Sequence, residues 1–232
     1  MLFLCHRVPY PPNKGDKIRS FHEIRHFSKN HEVHLLAFCD DPDGQACGGE
    51  LGALCSSVTI IPIRPRRQRL NAAISMLRGE PWTLGYYADR RMWRAVGEKA
   101  ASLPFDIVFV YSSSMAPYAA GCADTPKVLD FVDSDASKWR QYVALKPVVS
   151  KWLYAYESGR LSRFENSMVQ AFDRSVFVSS RETRHLEDPD GRIVFIQNGI
   201  EISEEAPIRQ QSFPPRLVFV GAMDYFPNVD AV

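Results

Sequence analysis

Three cationic side chains lie close together where the first loop of the sequence meets the helix predicted after it. Lys14, Lys17 and Arg19 surround Gly15 in Pro-Pro-Asn-Lys-Gly-Asp-Lys-Ile-Arg, which follows the apolar run Leu2–Cys5. A helix N-terminus presents unpaired N–H groups and the positive end of the helix dipole, and lysine and arginine add charge. The segment therefore favours a site for an anionic or polyhydroxyl ligand, with a proline-stiffened turn as the alternative.

Three aspartates follow a later apolar run. Asp130, Asp133 and Asp135 lie in Asp-Phe-Val-Asp-Ser-Asp, just before a predicted helix that contains Trp139. Closely spaced carboxylates can orient sugar hydroxyls, act as a base or hold a cation. Asp133 or Ser134 can equally be the N-cap of that helix, and capping is the favoured interpretation for Asp135. The residue types leave both roles open for Asp133.

Other polar clusters give weaker signals. Residues 64–69 form the strongest basic run, explained by the solvated start of a helix or by contact with a membrane surface or anionic acceptor. His22 and His26 are one helical turn apart but have no acidic third ligand nearby, which argues against a metal site. Neither the dinucleotide motif Gly-x-Gly-x-x-Gly nor a phosphate-binding Gly-x-x-x-x-Gly-Lys-Ser/Thr occurs.

Alternating strand and helix patterns position these residues. Apolar runs predict strands at residues 2–5, 33–38, 58–63, 105–111, 128–132, 175–178 and 193–196. Helical patterns cover residues 15–30, 70–77, 89–101 and 115–121, and a long helix begins at Pro147. Repeated β–helix–β units imply right-handed crossovers and a Rossmann-like doubly wound parallel sheet, whose ligands lie beyond the carboxyl ends of the strands. We therefore expect both polar segments at that edge.

The amino-acid composition of the chain argues against several classes of protein. The 232 residues are 45% hydrophobic and 24% charged, with a net charge of +1, which argues against a nucleic-acid-binding protein. Five cysteines without a Cys-x-x-Cys motif suggest neither a disulfide framework nor a zinc site. No secretory signal or membrane span is evident, so we expect a cytoplasmic protein, with peripheral contact at the inner face of the cytoplasmic membrane as an open alternative.

The sequence predicts a lobe, a connector and the beginning of a second lobe. Residues 1–200 form the first lobe, and residues 201–215, with three prolines, form an interlobe linker. Residues 216–232 are expected to supply the first strand and loop of a truncated C-terminal lobe, with the strand at 217–220 ending at Gly221. Such a strand would expose apolar surface, so we expect it to dock on its own lobe or on a second copy in a dimer.

Four segments together resemble a family 4 glycosyltransferase, and more narrowly the sugar transferases of bacterial exopolysaccharide and PEP-CTERM (exosortase) loci. They are the first loop, Asp-Phe-Val-Asp-Ser-Asp, Ile-Gln-Asn-Gly-Ile-Glu at 196–201 and Phe-Val-Gly-Ala-Met-Asp-Tyr-Phe-Pro-Asn-Val-Asp-Ala at 219–231. The resemblance implies a GT-B architecture, of which the chain supplies the acceptor-binding lobe and the start of the donor-binding lobe. It also implies retaining transfer of a hexosyl group from a nucleotide-diphosphate sugar to a polysaccharide or lipid-linked acceptor, with no metal or other cofactor.

The resemblance further implies roles for individual residues. Asp133 lies about where many relatives have a cleft histidine, and is expected to position an acceptor hydroxyl or to support the reacting sugar. Gly221 matches the glycine under the donor diphosphate. The residues expected to bind acceptor and donor phosphates are Asn13, Lys14, Gly15, Asp16, Lys17, Arg19, Asp135 and Gly221. Because the family's C-terminal lysine and paired-glutamate region is not in this sequence, we expect this part alone to be inactive.

Two other function classes stay open. One is a nucleotide-dependent oxidoreductase or epimerase built on a single Rossmann domain, although the missing glycine motif counts against it. The other is a non-catalytic binding module in polysaccharide assembly. A nicotinamide-binding assay separates the first class from a glycosyltransferase, and a second βα lobe would argue against the other.

Overall fold

Seven parallel strands form one sheet in the protein. The structure, a computed structural model, describes residues 1–40, 48–122, 124–145, 148–200 and 218–221. The strands of the sheet are β1 (Leu2–Cys5), β2 (His34–Cys39), β3 (Ser57–Pro62), β4 (Val108–Tyr111), β5 (Lys127–Val132), β6 (Arg174–Phe177) and β7 (Ile193–Phe195). Their order is β3-β2-β1-β4-β5-β6-β7, and every neighbouring pair is parallel. This order confirms the predicted Rossmann-like doubly wound sheet.

Helices connect the strands. They are α1 (Gly15–Phe27), α2 (Gly48–Gly52), α3 (Pro65–Leu77), α4 (Trp82–Tyr87), α5 (Arg90–Ser102), a 3₁₀ helix (Ser113–Gly121), α6 (Asp135–Leu145) and α7 (Val148–Ala171). Helix α3 begins five residues before the predicted start at residue 70, because proline is well tolerated in a first turn and arginine is a good helix former. The short helices α2 and α4 were not predicted, since neither is long enough to show a periodic pattern.

The central strands are buried on both faces. In β1, Leu2 and Leu4 pack into one hydrophobic cluster, whereas Phe3 and Cys5 pack into a second cluster on the other face. Such burial explains the continuous apolar runs in the sequence. Strand β4 is shorter than the predicted 105–111 because its neighbour β1 begins opposite Val108. The Ile107 carbonyl still accepts the N–H of Leu2 at 3.0 Å, but Phe105 and Asp106 have no residue of β1 opposite them. The sheet is thus a rigid support for the loops at its carboxyl edge.

The chain divides into two compact units, Met1–Asn198 and Gly199–Val232. The first ends two residues before the predicted lobe boundary, and the predicted linker at 201–215 lies outside the described residues. In the second unit, residues 218–221 are exposed. Residues 218–220, the described part of the strand predicted at 217–220, pair with none of the described strands, and a first strand of a second lobe stays a prediction. Its docking, and a dimer through it, stay predictions.

No helix in the described part of the chain is both long and apolar enough to cross a bilayer.

Candidate functional site

The switch point of the sheet lies between β1 and β4. From β1 the chain winds outward to β2 and β3, and from β4 it winds the other way to β7. The loops that leave β1 and β4 therefore separate above the carboxyl edge, where open α/β sheets hold their ligands. The first loop and α1 follow β1, and a turn at Ser112 leads from β4 into the 3₁₀ helix. We treat this edge, extended to the aspartates after β5, as the candidate site.

An arginine between two aspartates holds the first loop in place. Arg7 donates to Asp16 at 2.7 Å through Nη1, and its Nε lies 2.9 Å from Asp40 at the end of β2. Asp16 also accepts the backbone N–H of Lys17 at 3.0 Å. Burial by itself would raise the pKa of Asp16, but the contact with His6 and the charge of Arg7 outweigh it, so the pKa lies well below its ordinary value. Asp16 therefore stays ionised and fixes the start of α1.

His6, the first residue after β1, lies under this loop. Its ring stacks on Tyr111 with centroids 5.9 Å apart, and its Nε2 is 3.6 Å from Asp16 Oδ2. The Tyr111 hydroxyl donates to the carbonyl oxygen of Asp16 at 2.9 Å. The Nδ1 atom of His6 is buried without a hydrogen-bond partner among the described residues. Sequence reasoning missed this residue because a lone histidine after a strand forms no pattern.

Arg19 joins α1, β5 and the end of the first unit. Its Nε and Nη2 donate to Asp130 at 2.9 and 2.8 Å, and its Nη1 donates to the Ile196 carbonyl at 3.1 Å and to Asn198 Oδ1 at 2.9 Å. Glu23, one turn further along α1, lies 3.2 Å from Nε. Burial and the neighbouring Asp130 raise the pKa of Glu23. Most donors of Arg19 are thus used inside the protein, which gives it a positioning role, and its contact with a donor or acceptor phosphate stays a prediction.

The backbone is strained where β4 and β5 end. Ser112 has a φ of 82° and Val132 a φ of 65°, both in the left-handed region that side chains with a Cβ rarely adopt. Asp130 holds both turns: its carbonyl accepts the N–H of Ser112 at 2.8 Å, and its Oδ1 accepts that of Val132 at 2.7 Å. Strain of this kind costs on the order of 1 to 3 kcal/mol per residue and tends to occur at functional sites. It sets the path of the loop that carries Asp133.

The N-terminus of α6 is capped by residues other than Asp133 and Asp135. Ser134 Oγ accepts the N–H of Ser137 at 3.0 Å, and Glu165, fully buried on α7, accepts the N–H of Ala136 at 3.0 Å. Ser134 also donates to Glu165 at 2.8 Å. The capping favoured for Asp135 is therefore wrong, because the helix already has its acceptors. Since neither Asp133 nor Asp135 caps α6, both side chains can make other contacts.

Asp133 and Asp135 form an acidic rim at the carboxyl edge. Asp135 Oδ2 accepts a hydrogen bond from the Ser113 hydroxyl at 2.9 Å, which links the loop after β5 to the loop after β4. Asp133 is exposed, and desolvation together with the charge of Asp135 raises its pKa. Burial, and then the charge of Asp133, also raise the pKa of Glu182. A carboxylate with a raised pKa is a better proton acceptor than an ordinary one, and it can also accept hydrogen bonds from hydroxyl groups.

The remaining predicted site residues lie at or near the start of α1, with one exception. Asn13, Lys14 and Gly15 are exposed there, whereas Lys17 is buried. A Cβ added at Gly15 would meet nothing within 4 Å, so the loop itself does not require glycine at this position. Gly221 belongs to the second unit. In the described part of the chain, no three histidine, cysteine or acidic residues are arranged to hold a metal ion.

The strand order and the site at its switch point define a Rossmann-like α/β protein. Comparison with protein-family models and with curated proteins gave no match. Among solved structures, the chain is similar to alpha,alpha-trehalose 6-phosphate synthase from Burkholderia multivorans, with 14% sequence identity and a TM-score of 0.38. The match covers 80% of this chain and 42% of that protein, so the chain spans less than half of its length. A likeness at this level assigns no function.

Proposed function

We propose that the chain is the acceptor-binding, N-terminal part of a retaining glycosyltransferase. It would move a hexosyl group from a nucleotide-diphosphate sugar to a polysaccharide or lipid-linked acceptor. The observation that carries the proposal is the acidic rim of Asp133 and Asp135, with Glu182 near Asp133, at the carboxyl edge of a Rossmann-like sheet, which is also the edge at which α1 begins. Carboxylates in such a place accept hydrogen bonds from the hydroxyl groups of a sugar.

Asp133 is the proposed residue at the reacting acceptor. Its raised pKa suits a carboxylate that receives a proton from a hydroxyl group, and its exposure leaves room for a ligand. Asp135 accepts a hydrogen bond from Ser113, which fixes the orientation of its carboxylate. The carboxylate can still accept a hydrogen bond from a ligand hydroxyl. In this proposal neither residue acts alone, because a glycosyl transfer also needs the leaving diphosphate to be stabilised.

The proposed donor contacts lie at the start of α1 and in the second lobe. This 13-residue helix begins without a side-chain cap, so the positive end of its dipole faces the first loop, and Lys14 adds an exposed positive charge beside it. Gly221 would allow close approach of the diphosphate from the second lobe. These groups stabilise negative charge without a metal ion or other cofactor. In this scheme the first lobe alone is inactive, and the enzyme works in the cytoplasm or at the inner face of its membrane.

Ligand binding by the 232-residue chain tests the proposal. Saturation-transfer NMR with a panel of oligosaccharides, uridine- and guanosine-diphosphate sugars and a nicotinamide dinucleotide should detect saccharide binding. Asp133→Asn should weaken it by roughly tenfold or more, the loss of one hydrogen bond to a charged group. The matched control is Asp124→Asn, at an exposed turn before β5 on the opposite edge of the sheet, which should bind like the native chain.

Two results would overturn the proposal. One is tight nicotinamide binding without saccharide binding, which would favour an oxidoreductase or epimerase. The other is equal saccharide affinity of Asp133→Asn and the native chain. In an enzyme that carries both lobes, the anomeric configuration of the product tests retention directly.

A further inference from the structure

Helix α3 turns an apolar stripe outward. Leu70, Ile74 and Leu77 follow each other at spacings of four and three residues, so they share one side of the helix. Their exposed fractions are 61%, 37% and 83%. This spacing normally marks the buried face of a helix, yet here the face points away from the sheet. Exposed stripes of large apolar residues indicate an interaction surface.

Arginines surround the apolar stripe. Arg64, Arg66, Arg67, Arg69 and Arg78 are all exposed, and no acidic residue occurs between Arg64 and Gly79. At 100° per residue, Arg67 and Arg78 flank the stripe on one side and Arg69 on the other. The whole chain has a net charge of only +1, so positive charge is concentrated at this helix. We call these five arginines and the three apolar residues the α3 face.

The opposite side of α3 is anchored to the protein. Gln68 is fully buried and donates to Asp89 at 3.3 Å, and Asn71 donates to the Ala88 carbonyl at 3.0 Å. The Met76 carbonyl accepts a hydrogen bond from the Tyr156 hydroxyl at 2.7 Å. These contacts fix the rotation of the helix, so the outward direction of the apolar stripe follows from tertiary packing.

An open cavity lies beside the stripe. It has a volume of about 490 Å³, and its lining includes Arg67, Arg78, Arg90, Ile74 and Trp93. Trp93 is 43% exposed, and tryptophan commonly lies at the level of lipid headgroups. Three arginines among the lining residues suit the phosphate of an anionic headgroup.

We infer that the α3 face docks on an anionic lipid surface. Leu70, Ile74 and Leu77 would enter the boundary between headgroups and acyl chains, while the arginines bind lipid phosphates. A second copy fits less well, because a two-fold contact of this face with itself would bring like charges together. A nucleic acid would neutralise the arginines but would leave the apolar side chains in water. The inference does not depend on sugar transfer.

Vesicle co-sedimentation of the full chain tests the inference. The native chain should sediment with vesicles of phosphatidylcholine and phosphatidylglycerol, but not with phosphatidylcholine alone, and added salt should release it. The triple substitution Arg66→Gln, Arg67→Gln, Arg69→Gln should lower the partition coefficient on the order of a hundredfold, roughly fivefold for each arginine. The control Arg163→Gln, Arg181→Gln, Arg184→Gln removes three exposed charges elsewhere and should bind like the native chain.

A second variant tests whether the apolar side chains contribute to membrane binding or whether charge alone accounts for it. Leu70→Ser with Leu77→Ser keeps every arginine and should still lower the partition coefficient by about tenfold or more. Circular dichroism and thermal unfolding check that both variants fold. Equal sedimentation of the native chain and the arginine variant overturns the inference, as does an unchanged partition of the leucine variant. A dimer in sedimentation equilibrium that Leu70→Ser, Leu77→Ser abolishes, without vesicle binding, assigns the face to a second copy instead.

Discussion

At the scale of single residues, Asp133 and Asp16 affect stability in opposite directions. Both are carboxylates at the carboxyl edge, yet the pKa of Asp133 is raised and that of Asp16 is lowered. Asp16 has a full set of partners in Arg7, His6 and the Lys17 N–H, whereas Asp133 has another carboxylate as its neighbour. The folded protein disfavours the charged form of Asp133, so this carboxylate does not stabilise the fold. A role in ligand binding explains its position better.

Asp133→Asn is expected to stabilise the protein slightly at neutral pH while it weakens saccharide binding. The folded pKa of Asp133 lies above its unfolded value of 3.8, so ionisation costs stability as the pH rises through the interval between them. The gain should stay below about 0.5 kcal/mol because the side chain is exposed. It should vanish below pH 3.8, where the residue is protonated in both states. Thermal unfolding across this pH range measures it, and a lower midpoint at neutral pH would contradict the prediction.

Asp16→Asn is expected to destabilise the protein by about 1 to 3 kcal/mol at neutral pH, since it weakens the bond to Arg7 and leaves that arginine less well paired. Because the folded pKa of Asp16 is depressed, its contribution is present above the unfolded value of 3.8 and is lost as the pH falls through the folded pKa. Urea unfolding of this variant and of Asp124→Asn at several pH values gives the comparison. A pH-independent difference would argue against an ionic role.

At the scale of elements, helix α4 packs against α3 through a glycine. A Cβ added to Gly85 would lie 2.6 Å from the Cβ of Ser75 and 2.8 Å from the carbonyl oxygen of Asn71, both on α3. The two helices cannot approach so closely with any larger residue at this position. This contact also helps to hold α3 with its apolar stripe outward.

Gly85→Ala is therefore expected to destabilise the protein by about 1 to 3 kcal/mol, because backbone atoms must move apart. Gly97→Ala is the matched control: this glycine lies in α5, and its added Cβ would meet nothing within 4 Å. The control should stabilise the protein by about 0.5 to 1 kcal/mol through the better helix propensity of alanine. Urea midpoints of the two variants test the pair, and equal shifts in one direction would refute the packing argument.

At the scale of the whole molecule, Arg19 couples the ligand edge to the end of the first unit. A chain that ends at Asn198 should unfold cooperatively with nearly the midpoint of the full chain, because that unit has its own sheet and core. A chain that ends at Phe195 removes two acceptors of Arg19 and should lose about 1 to 3 kcal/mol. Thermal and urea unfolding of the two truncated chains measure the difference. Equal stability would mean that the contacts of Arg19 with Ile196 and Asn198 contribute nothing.

Local pattern predicted most of the sheet but only part of the site. Residues 2–5 and 128–132 were recognised as strands because a parallel strand buried on both faces is apolar throughout. The cap of α6 could not be decided, since Asp133 and Ser134 are both good capping residues and the choice depends on the strained turn at Val132. The hydrogen bonds of Arg19 with Asp130 could not be predicted, because Asp130 lies 111 residues away in the sequence.

Periodicity, capping residues and apolar runs act over one or two helical turns, so the alternation of strands and helices, and hence the class of fold, can be predicted from local sequence. The strand order decided which distant residues meet, and it brought Arg19 to Asp130 and Ser113 to Asp135. Contacts between distant residues also decide which side of α3 faces solvent. The spacing of Leu70, Ile74 and Leu77 suits a buried face, but the hydrogen bonds of Gln68 and Asn71 on the other side turn it to the surface. Contacts between residues far apart in the chain carry no local signal, because they exist only after the sheet has brought those residues together.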